Sequence, residues 1–160
     1  MVTVIMPCRN AEKWLASSIG SVLNQSFKNF DVIIVDDGST DNSLKIIESL
    51  MEQDSRLDLV RLTEPSGAAI ARNMAITISK GRYIAFLDAD DIWLPSKLEQ
   101  QISFMQLNNY PFCFSAYEKI NEAGDVIGKN GVPDKVNYQE LLKTCVIGCL
   151  TVIYDKDYFG

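Results

Sequence analysis

Carboxylates follow an apolar run of this sequence where a buried strand would end. Residues 83–87 form the run, and Asp88-Ala89-Asp90-Asp91 comes directly after it. Side chains at i and i+2 of a strand point to the same side, so Asp88 and Asp90 can place two carboxylates on one face of the strand tip. Hard oxygen ligands without His or Cys favour Mg²⁺ or Mn²⁺, and few protein ligands suit an ion shared with substrate phosphates. The alternative is a solvated loop in which Asp91 helps to cap the next helix.

A second acidic turn follows residues 31–35. Its sequence is Asp36-Asp37-Gly38-Ser39, which again puts carboxylates at a strand tip. Ligands in open α/β sheets bind outside the carboxyl ends of the strands, so both acidic turns are candidate binding sites. The alternative is that Asp and Gly only make the turn and a later Ser or Asp caps the next helix.

Small residues and one arginine lie between these two turns. Segment 66–73 reads Ser-Gly-Ala-Ala-Ile-Ala-Arg-Asn, so small residues open a helix and Arg72 lies near its start. Small residues allow close backbone approach, and the guanidinium is a forked donor suited to a phosphate or to the edge of a base. The alternative is that Arg72 forms a surface ion pair. Neither G-x-G-x-x-G nor G-x-x-x-x-G-K is present, which argues against dinucleotide and P-loop sites.

Composition excludes several other kinds of chemistry. The 160 residues contain no His, which rules out Ser-His-Asp and Cys-His catalysis within the chain. The net charge is -6, from 15 Lys and Arg against 21 Asp and Glu, so we expect no nucleic-acid partner. Cysteines 8, 113, 145 and 149 show no C-x-x-C spacing, and we expect reduced, buried thiols in a cytosolic protein.

Alternating secondary structure would position the candidate residues. Short β-branched runs alternate with segments of helical period, which predicts an α/β fold around a mainly parallel sheet. We predict strands at 2–7, 31–36, 57–62 and 82–88. Apolar residues at helical spacing predict three flanking helices: Leu15, Ile19 and Val22; Ile70, Met74 and Ile78; Leu98, Ile102 and Met105. Ser96 and Glu99 have capping-box spacing at the start of the third helix.

The pattern loosens after residue 110. It predicts a β-hairpin from the apolar run at 111–116 through a Gly124-Asp125 turn to residues 126–128, then a helix at 137–145 and a strand at 150–154. We identify no secretion signal at the N-terminus. The longest nearly apolar run, residues 146–154, is about half of the roughly 18 to 20 residues that a spanning helix needs. Any membrane contact is therefore expected to be peripheral.

Four short motifs occur in order along the chain. They are Met6-Pro7-Cys8-Arg9-Asn10, Asp36-Asp37-Gly38-Ser39, Ala71-Arg72-Asn73 and Asp88-Ala89-Asp90-Asp91, and Trp93 and Pro95 follow the last. Each motif is weak alone. In this order and spacing they closely resemble the family 2 glycosyltransferases, over nearly the whole chain.

The resemblance implies a GT-A fold, the Rossmann-like fold of nucleotide-diphospho-sugar transferases. It also implies a nucleotide-sugar donor, Mn²⁺ or Mg²⁺ as cofactor, and sugar transfer with inversion at the anomeric carbon. By motif position, Pro7 and its neighbour Arg9 would line the nucleobase pocket with Asp37, and Asp36 would lie beside it.

The remaining motifs would bind the other end of the donor. Arg72 would lie near the base or the diphosphate, Asp88 near the ribose, and Asp90 would bind the metal, with Asp88 as a second ligand. UDP is the family's commonest donor nucleotide. The implied acceptor is a saccharide or lipid-linked saccharide in bacterial surface-polysaccharide biosynthesis, in the cytoplasm or at the inner face of the cell membrane.

The chain also departs from the family pattern. Arg9 stands where the family often has an aromatic residue, and Ala75 replaces a frequent glycine. The family's catalytic carboxylate has no matching motif before Gly160, and the surroundings of Asp155 and Asp157 do not match it. We therefore expect residues 1–160 to form one GT-A domain that lacks its C-terminal part, with the general base beyond Gly160. Such a chain would bind donor and metal but transfer sugar poorly.

Two other functions remain open from the sequence. A noncatalytic nucleotide-sugar binding module would share the donor site, and the residues do not distinguish it from the enzyme. A receiver-like, Mg²⁺-binding signalling domain also uses carboxylates at strand ends. Its acidic pair should follow the first strand, which here ends in Pro7-Cys8-Arg9-Asn10.

Overall fold

A computed structural model describes residues 1–143 and 146–159 of the chain. Its strands are β1 (Val2–Cys8), β2 (Phe30–Asp36), β3 (Leu57–Arg61), β4 (Tyr83–Phe86), β5 (Phe112–Cys113), β6 (Tyr117–Ile120), β7 (Val126–Asn130) and β8 (Ile153–Asp155). Its helices are α1 (Leu15–Leu23), α2 (Ser43–Met51), α3 (Ala68–Ile78), α4 (Lys97–Asn108), α5 (Tyr138–Lys143) and α6 (Lys156–Phe159).

The central sheet has six strands in the order β3-β2-β1-β4-β8-β5. Strands β1 to β4 are parallel, and β8 runs antiparallel to both of its neighbours. The α/β class with a mainly parallel sheet is therefore confirmed. The four predicted strands are confirmed to within two residues at each end. Because β2, β1 and β4 are adjacent and parallel, the residues that follow them meet at one edge of the sheet.

Both faces of the sheet are buried, as is typical of parallel sheets. Side chains alternate along β1, so Val4 and Met6 pack into the cluster beneath α1 and α4, while Ile5 packs into the cluster beneath α3. The predicted apolar stripes of α1 and α4 are confirmed, because all six of their residues are buried: Leu15, Ile19, Val22, Leu98, Ile102 and Met105.

The predicted core face of α3 is wrong. Ile70, Met74 and Ile78 are 51%, 38% and 48% exposed, whereas Ala71 and Ala75 are fully buried against the sheet. The two sets have the same spacing of four residues and lie on adjacent stripes of the helix. Alanine on the buried stripe lets the helix backbone approach β1 and β2 closely, so the larger apolar side chains face outward.

The helix start predicted at Ser96 is confirmed, but the capping box is not formed. Ser96 is the N-cap of α4 and makes no side-chain cap bond. The Leu98 amide donates instead to Gln25 Oε1 at 3.0 Å, and Glu99 Oε2 accepts from the Ser26 hydroxyl at 2.5 Å. A buried glutamine from the end of α1 thus satisfies the donor that a capping serine would have satisfied.

The region after residue 110 contains the predicted hairpin with a different first strand. The hairpin pairs β6 with β7 around the Gly124-Asp125 turn, whereas β5, within the predicted run at 111–116, pairs with β8 at the edge of the main sheet. The helix predicted at 137–145 corresponds to α5, and positions 144–145 lie outside the described residues. The strand predicted at 150–154 becomes a 3₁₀ turn at Cys149–Thr151 followed by β8.

The cysteine prediction holds at two of its four positions. Cys8 and Cys113 are buried free thiols, whereas Cys149 is exposed, because it begins the 3₁₀ turn before β8 and does not lie in the core. Cys145 lies outside the described residues. Among the helices of the described residues, none combines the length and apolar character needed to cross a bilayer.

Candidate functional site

A cavity opens at the carboxyl ends of β1, β2 and β4 and has a volume of about 530 Å³. That volume lies within the range of small-molecule sites. Six of the seven predicted site residues line it: Pro7, Arg9, Asp37, Arg72, Asp88 and Asp90. Residues separated by up to 83 positions in the sequence, Pro7 to Asp90, therefore meet in one concave site.

Asp36, the seventh predicted residue, lies behind the cavity wall. It is 2% exposed, and its Oδ2 atom accepts from the Ser39 amide at 3.2 Å within the turn after β2. Its Oδ1 atom is buried without a hydrogen-bond partner in the described residues. Burial, together with the nearby charge of Asp36, raises the pKa of the Cys8 thiol to about 11, so Cys8 stays protonated at neutral pH.

Asp37 fastens the start of α3 to the end of β2. Its two carboxylate oxygens accept from the Ser66 amide at 2.6 Å and the Gly67 amide at 2.9 Å. Gly67 has φ +92°, a backbone conformation that favours glycine. The carboxylate therefore holds the loop before α3 in place, and Asp37 also lines the cavity.

Arg72 and Asp88 form an ion pair on the wall of the cavity. The Arg72 Nη2 to Asp88 Oδ1 distance is 2.5 Å, and both side chains are partly exposed. Burial opposes the charge on Arg72, but the hydrogen bond and charge of Asp88 outweigh it and hold the pKa of Arg72 above its ordinary value. The Arg72 Nε atom is buried with no hydrogen-bond partner in the described residues, although the side chain as a whole lines the cavity.

Negative charge is concentrated in the loop after β4. Asp90 is exposed at the cavity, and Asp88 and Asp91 flank it. Burial, followed by the charges of Asp90 and Asp88, raises the pKa of Asp91 to about 6. The loop therefore carries more negative charge than the Arg72 guanidinium balances.

The donor set in this loop fits a hard divalent cation that is held only in part by protein. Among the described residues, no group of three or more His, Cys, Asp or Glu side chains converges into a complete metal cage. Asp90 is open to the cavity, and Asp88 has a second oxygen beyond the one paired with Arg72. Mg²⁺ and Mn²⁺ sites of this kind are completed by water and substrate phosphates.

The turn after β1 is held by a network to the turn after β2. Asn10 has φ +51°, and its Oδ1 atom accepts from the Thr40 amide at 2.8 Å. The Asn10 amide donates to the Ser39 hydroxyl at 3.0 Å, and the Ala11 amide donates to the Ser43 hydroxyl at 2.9 Å. These bonds fix the backbone that follows Arg9 at the cavity.

Sequence reasoning missed several residues of the cavity wall. These are Cys8, Asn10, Ala11, Trp14, Gly67, Ala68 and Ala89. Most are neighbours of predicted residues and could have been found by extending each motif. Trp14 is different, because it lies at the start of α1 outside every motif, and its only signal was its position soon after a strand end.

Asp155 and Asp157 lie away from this site. Asp155 pairs in the sheet with Tyr83, the first residue of β4, whereas the cavity follows the last. Its Oδ2 atom accepts from Arg82 Nη2 at 2.7 Å and from Arg82 Nε at 3.0 Å. The Asp155 carboxylate therefore has a structural ion-pair role at the end of β4 that lies opposite the cavity.

Comparison with known proteins identifies the family. The model of Glycosyl transferase family 2 matches residues 3–154. The chain therefore belongs to this family. The crystal structure of residues 1–349 of S. aureus TarS in complex with UDP superposes with a TM-score of 0.76 at 26% identity, over 96% of this chain and 46% of that one. The fold is thus the GT-A fold that the motifs predicted.

Two relatives of known name are similar over almost the entire chain. UDP-Glc:alpha-D-GlcNAc-diphosphoundecaprenol beta-1,3-glucosyltransferase WfgD of Escherichia coli is 46% identical, over 98% of this chain and 60% of its own length. Putative teichuronic acid biosynthesis glycosyltransferase TuaG of Bacillus subtilis (strain 168) is 41% identical, over 100% of this chain and 64% of its own length. The chain thus spans somewhat less than two thirds of either relative.

Proposed function

We propose that this chain is the donor-binding part of a metal-dependent, inverting glycosyltransferase. It binds a nucleotide-sugar, with UDP as the nucleotide, for transfer of the sugar to an acceptor hydroxyl. The acceptor is a saccharide or lipid-linked saccharide in bacterial surface-polysaccharide biosynthesis. The names of WfgD and TuaG, which specify a lipid-linked acceptor and teichuronic acid biosynthesis, support this assignment.

The observation that carries the proposal is the arrangement of charge along the cavity. Asp37 directly follows β2 and Asp90 lies in the loop after β4, with β1 between these two strands. Two strand spacings separate these ends by about 10 Å. Such a site can bind a ligand with a hydrogen-bonding ring at one end and a phosphate group at the other.

The β2 end is suited to a nucleobase. Pro7 and Ala11 offer apolar surface, and Asp37 offers acceptor oxygens to an N–H of the base. A base with that N–H adds a hydrogen bond to a carboxylate that already accepts from two backbone amides, whereas a base without it loses this bond, and the difference gives selectivity. Arg9 supplies a planar cation on the same turn, in the place where the family often has an aromatic ring.

The β4 end is suited to a diphosphate. Arg72 lines the cavity, so its guanidinium can present a donor to a phosphate oxygen while its Nη2 atom remains on Asp88. Asp90 and Asp88 would hold Mn²⁺ or Mg²⁺, which supplies Lewis-acid stabilisation of the leaving diphosphate. Arg72 adds a fixed positive charge at the same place, so the chain's own residues orient the donor and neutralise part of the leaving group.

The catalytic base lies outside this assignment. We propose that the general base is contributed by polypeptide beyond Gly160 in a longer enzyme, and that the 160-residue chain binds donor without efficient transfer. Robust sugar transfer to a relevant acceptor by the isolated chain would contradict that part of the proposal.

Calorimetric titration tests the donor site directly. The chain is titrated with UDP and separately with GDP, with and without Mn²⁺, together with Asp90→Asn. We expect UDP to bind, more tightly with Mn²⁺, and Asp90→Asn to lose the Mn²⁺ enhancement because a metal ligand is removed. Asp58→Asn is the matched control, since Asp58 is an exposed carboxylate on β3, at the sheet edge away from β4.

Two results would contradict the proposal. If the folded chain, checked by circular dichroism, binds neither nucleotide under any condition, the cavity is not a nucleotide site. If Asp90→Asn and Asp58→Asn behave alike, the loop after β4 does not bind the metal.

A further inference from the structure

Trp14 lines the donor cavity although it belongs to none of the recognised motifs. It is the N-cap of α1 and is half-buried. The protein contains two tryptophans, and the other, Trp93, is buried with its indole N–H donating to the Leu150 carbonyl at 2.9 Å. Trp93 is thus accounted for by packing, whereas Trp14 presents aromatic surface at a binding site.

The backbone of α1 fixes Trp14 beside the acidic loop. The Ser18 amide donates to the Trp14 carbonyl at 3.0 Å, so the two residues lie one helical turn apart on the same face. The Ser18 hydroxyl donates to the Asp88 carbonyl at 3.1 Å. Trp14 therefore lies at the β4 end of the cavity, one turn along α1 from the strand tip.

One face of the indole is already covered. The Lys13 ammonium lies 4.2 Å from the centre of the Trp14 ring system, and it is 2.8 Å from Glu122 Oε2 in the turn between β6 and β7. A ligand in the cavity would therefore contact the opposite face or the edge of the ring.

We propose that Trp14 is the platform for the sugar ring of the donor. This inference rests on the proposed function. In a nucleotide-sugar the hexose is attached to the diphosphate, so a diphosphate at Asp88 and Asp90 puts the hexose next to that loop. A pyranose has faces of C–H groups that lose water favourably against an aromatic ring, whereas the diphosphate gains little from one.

The test compares ligands with and without the sugar. Wild-type chain, Trp14→Ala and Trp14→Phe are titrated with UDP and with UDP-glucose in the presence of Mn²⁺. Trp14→Ala should weaken UDP-glucose about 5- to 10-fold and change UDP less than about 2-fold. Trp14→Phe keeps a smaller ring and should fall between wild type and Trp14→Ala, which guards against a folding defect in the alanine variant.

Fluorescence supplies an independent measurement. Trp93→Phe leaves Trp14 as the sole tryptophan, and its emission should change more on saturation with UDP-glucose than with UDP. The control is Trp14→Phe, in which only Trp93 emits and the two ligands should produce equal changes. Equal responses of Trp14 to both ligands would overturn the proposal.

The possible failures are distinguishable. If wild type binds UDP but Trp14→Ala weakens UDP and UDP-glucose equally, Trp14 contacts the nucleotide and the sugar platform is wrong. If Trp14→Ala weakens neither ligand, Trp14 makes no donor contact and the inference is overturned while the proposed function stands. If wild type binds neither ligand, the proposed function fails and the inference fails with it.

Discussion

Residues 36–43 and residues 88–97 both connect a parallel strand to the next helix, and both begin with carboxylates. The two segments differ in how their charged side chains are hydrogen-bonded and buried. In the first segment Asp36, Asp37 and Asp41 all accept hydrogen bonds from backbone amides, and only Asp36 Oδ1 is buried with no partner among the described residues. In the second segment burial and two neighbouring carboxylates raise the pKa of Asp91, and the Lys97 ammonium is buried with no hydrogen-bond partner among the described residues. Residue type and topological position are alike, so the difference comes from burial and available partners.

In the first segment, carboxylates hold neighbouring loops in place through hydrogen bonds to backbone amides. Asp37 accepts two amides of the loop before α3. Asp41 accepts from the Ser43 amide at 2.9 Å and from the Glu12 amide at 3.0 Å. Burial raises the pKa of Asp41, but these hydrogen bonds outweigh it and leave the pKa below its usual value. The ionised Asp41 carboxylate therefore stabilises the fold at neutral pH.

In the second segment, a buried charged group lowers the stability of the fold. Burial lowers the pKa of Lys97 to about 7, and its Nζ atom has no hydrogen-bond partner in the described residues. The ammonium lies 3.9 Å from the centre of the Trp93 ring system, a cation–π contact that offsets part of the burial. Asp91, with its pKa raised to about 6, belongs to the same segment. Binding loops are often drawn from such weakly stabilised regions.

The largest expected effect comes from replacing the buried lysine. Lys97→Met should raise the unfolding free energy by on the order of 3 kcal/mol at about pH 6. The pKa is lower in the folded state than in the unfolded state, so the cost is full below about pH 7 and declines as pH rises toward the unfolded value. The difference in unfolding free energy between the variant and the wild type should therefore be smaller at about pH 9.5 than at about pH 6. Urea unfolding of both proteins at the two pH values measures this difference.

The exposed Lys80 provides the control for that experiment. Lys80→Met should alter stability by less than about 0.5 kcal/mol at either pH. If the stability gain of Lys97→Met did not depend on pH, Lys97 would not deprotonate in the folded protein. The contrast between the two segments would then lack its main support.

The next largest effect concerns the hydrogen bonds of Asp37 to the loop before α3. Asp37→Ala removes the acceptor of two amide hydrogen bonds and should lower the unfolding free energy by about 2 kcal/mol. The loss is limited because Ser66 and Gly67 are exposed and their amides can turn to water. Asp37→Asn, which keeps one acceptor oxygen, should lose less. A loss within about 0.5 kcal/mol for Asp37→Ala in urea unfolding would show that the loop does not depend on this carboxylate.

Much of the fold follows from sequence periodicity, and its failures have physical causes. The strands and the stripes of α1 and α4 could be predicted because large apolar side chains mark their buried faces. On α3 the buried stripe consists of Ala71 and Ala75, and a pattern weighted by side-chain size selects the neighbouring stripe. The capping box failed because Gln25, distant in sequence, supplies the bond to the Leu98 amide.

The candidate site was predictable where motifs follow strands and less so elsewhere. Six of the seven named residues meet in the cavity because parallel strands bring their carboxyl ends together. The partners of those residues were not predictable. In the sequence, Asp37 and Asp90 are both carboxylates at strand tips. In the folded chain, Asp37 accepts from two backbone amides, whereas Asp90 is exposed at the cavity. Trp14 was missed because it belongs to no motif. It lies near the loop after β4 because Ser18, one helical turn further along α1, is hydrogen-bonded to the Asp88 carbonyl.

The smallest expected effect completes the contrast between the two segments. Asp90 is exposed, and its neighbours in the loop are the carboxylates Asp88 and Asp91. Asp90→Asn should therefore change the unfolding free energy by no more than about 0.5 kcal/mol, in the stabilising direction, because it removes like-charge repulsion. Urea unfolding without divalent metal measures this, and the gain should vanish at about 0.5 M NaCl because salt screens exposed charges. A loss of more than about 1 kcal/mol would mean that Asp90 fastens the fold as Asp37 does, and the two segments would then differ in degree and not in kind.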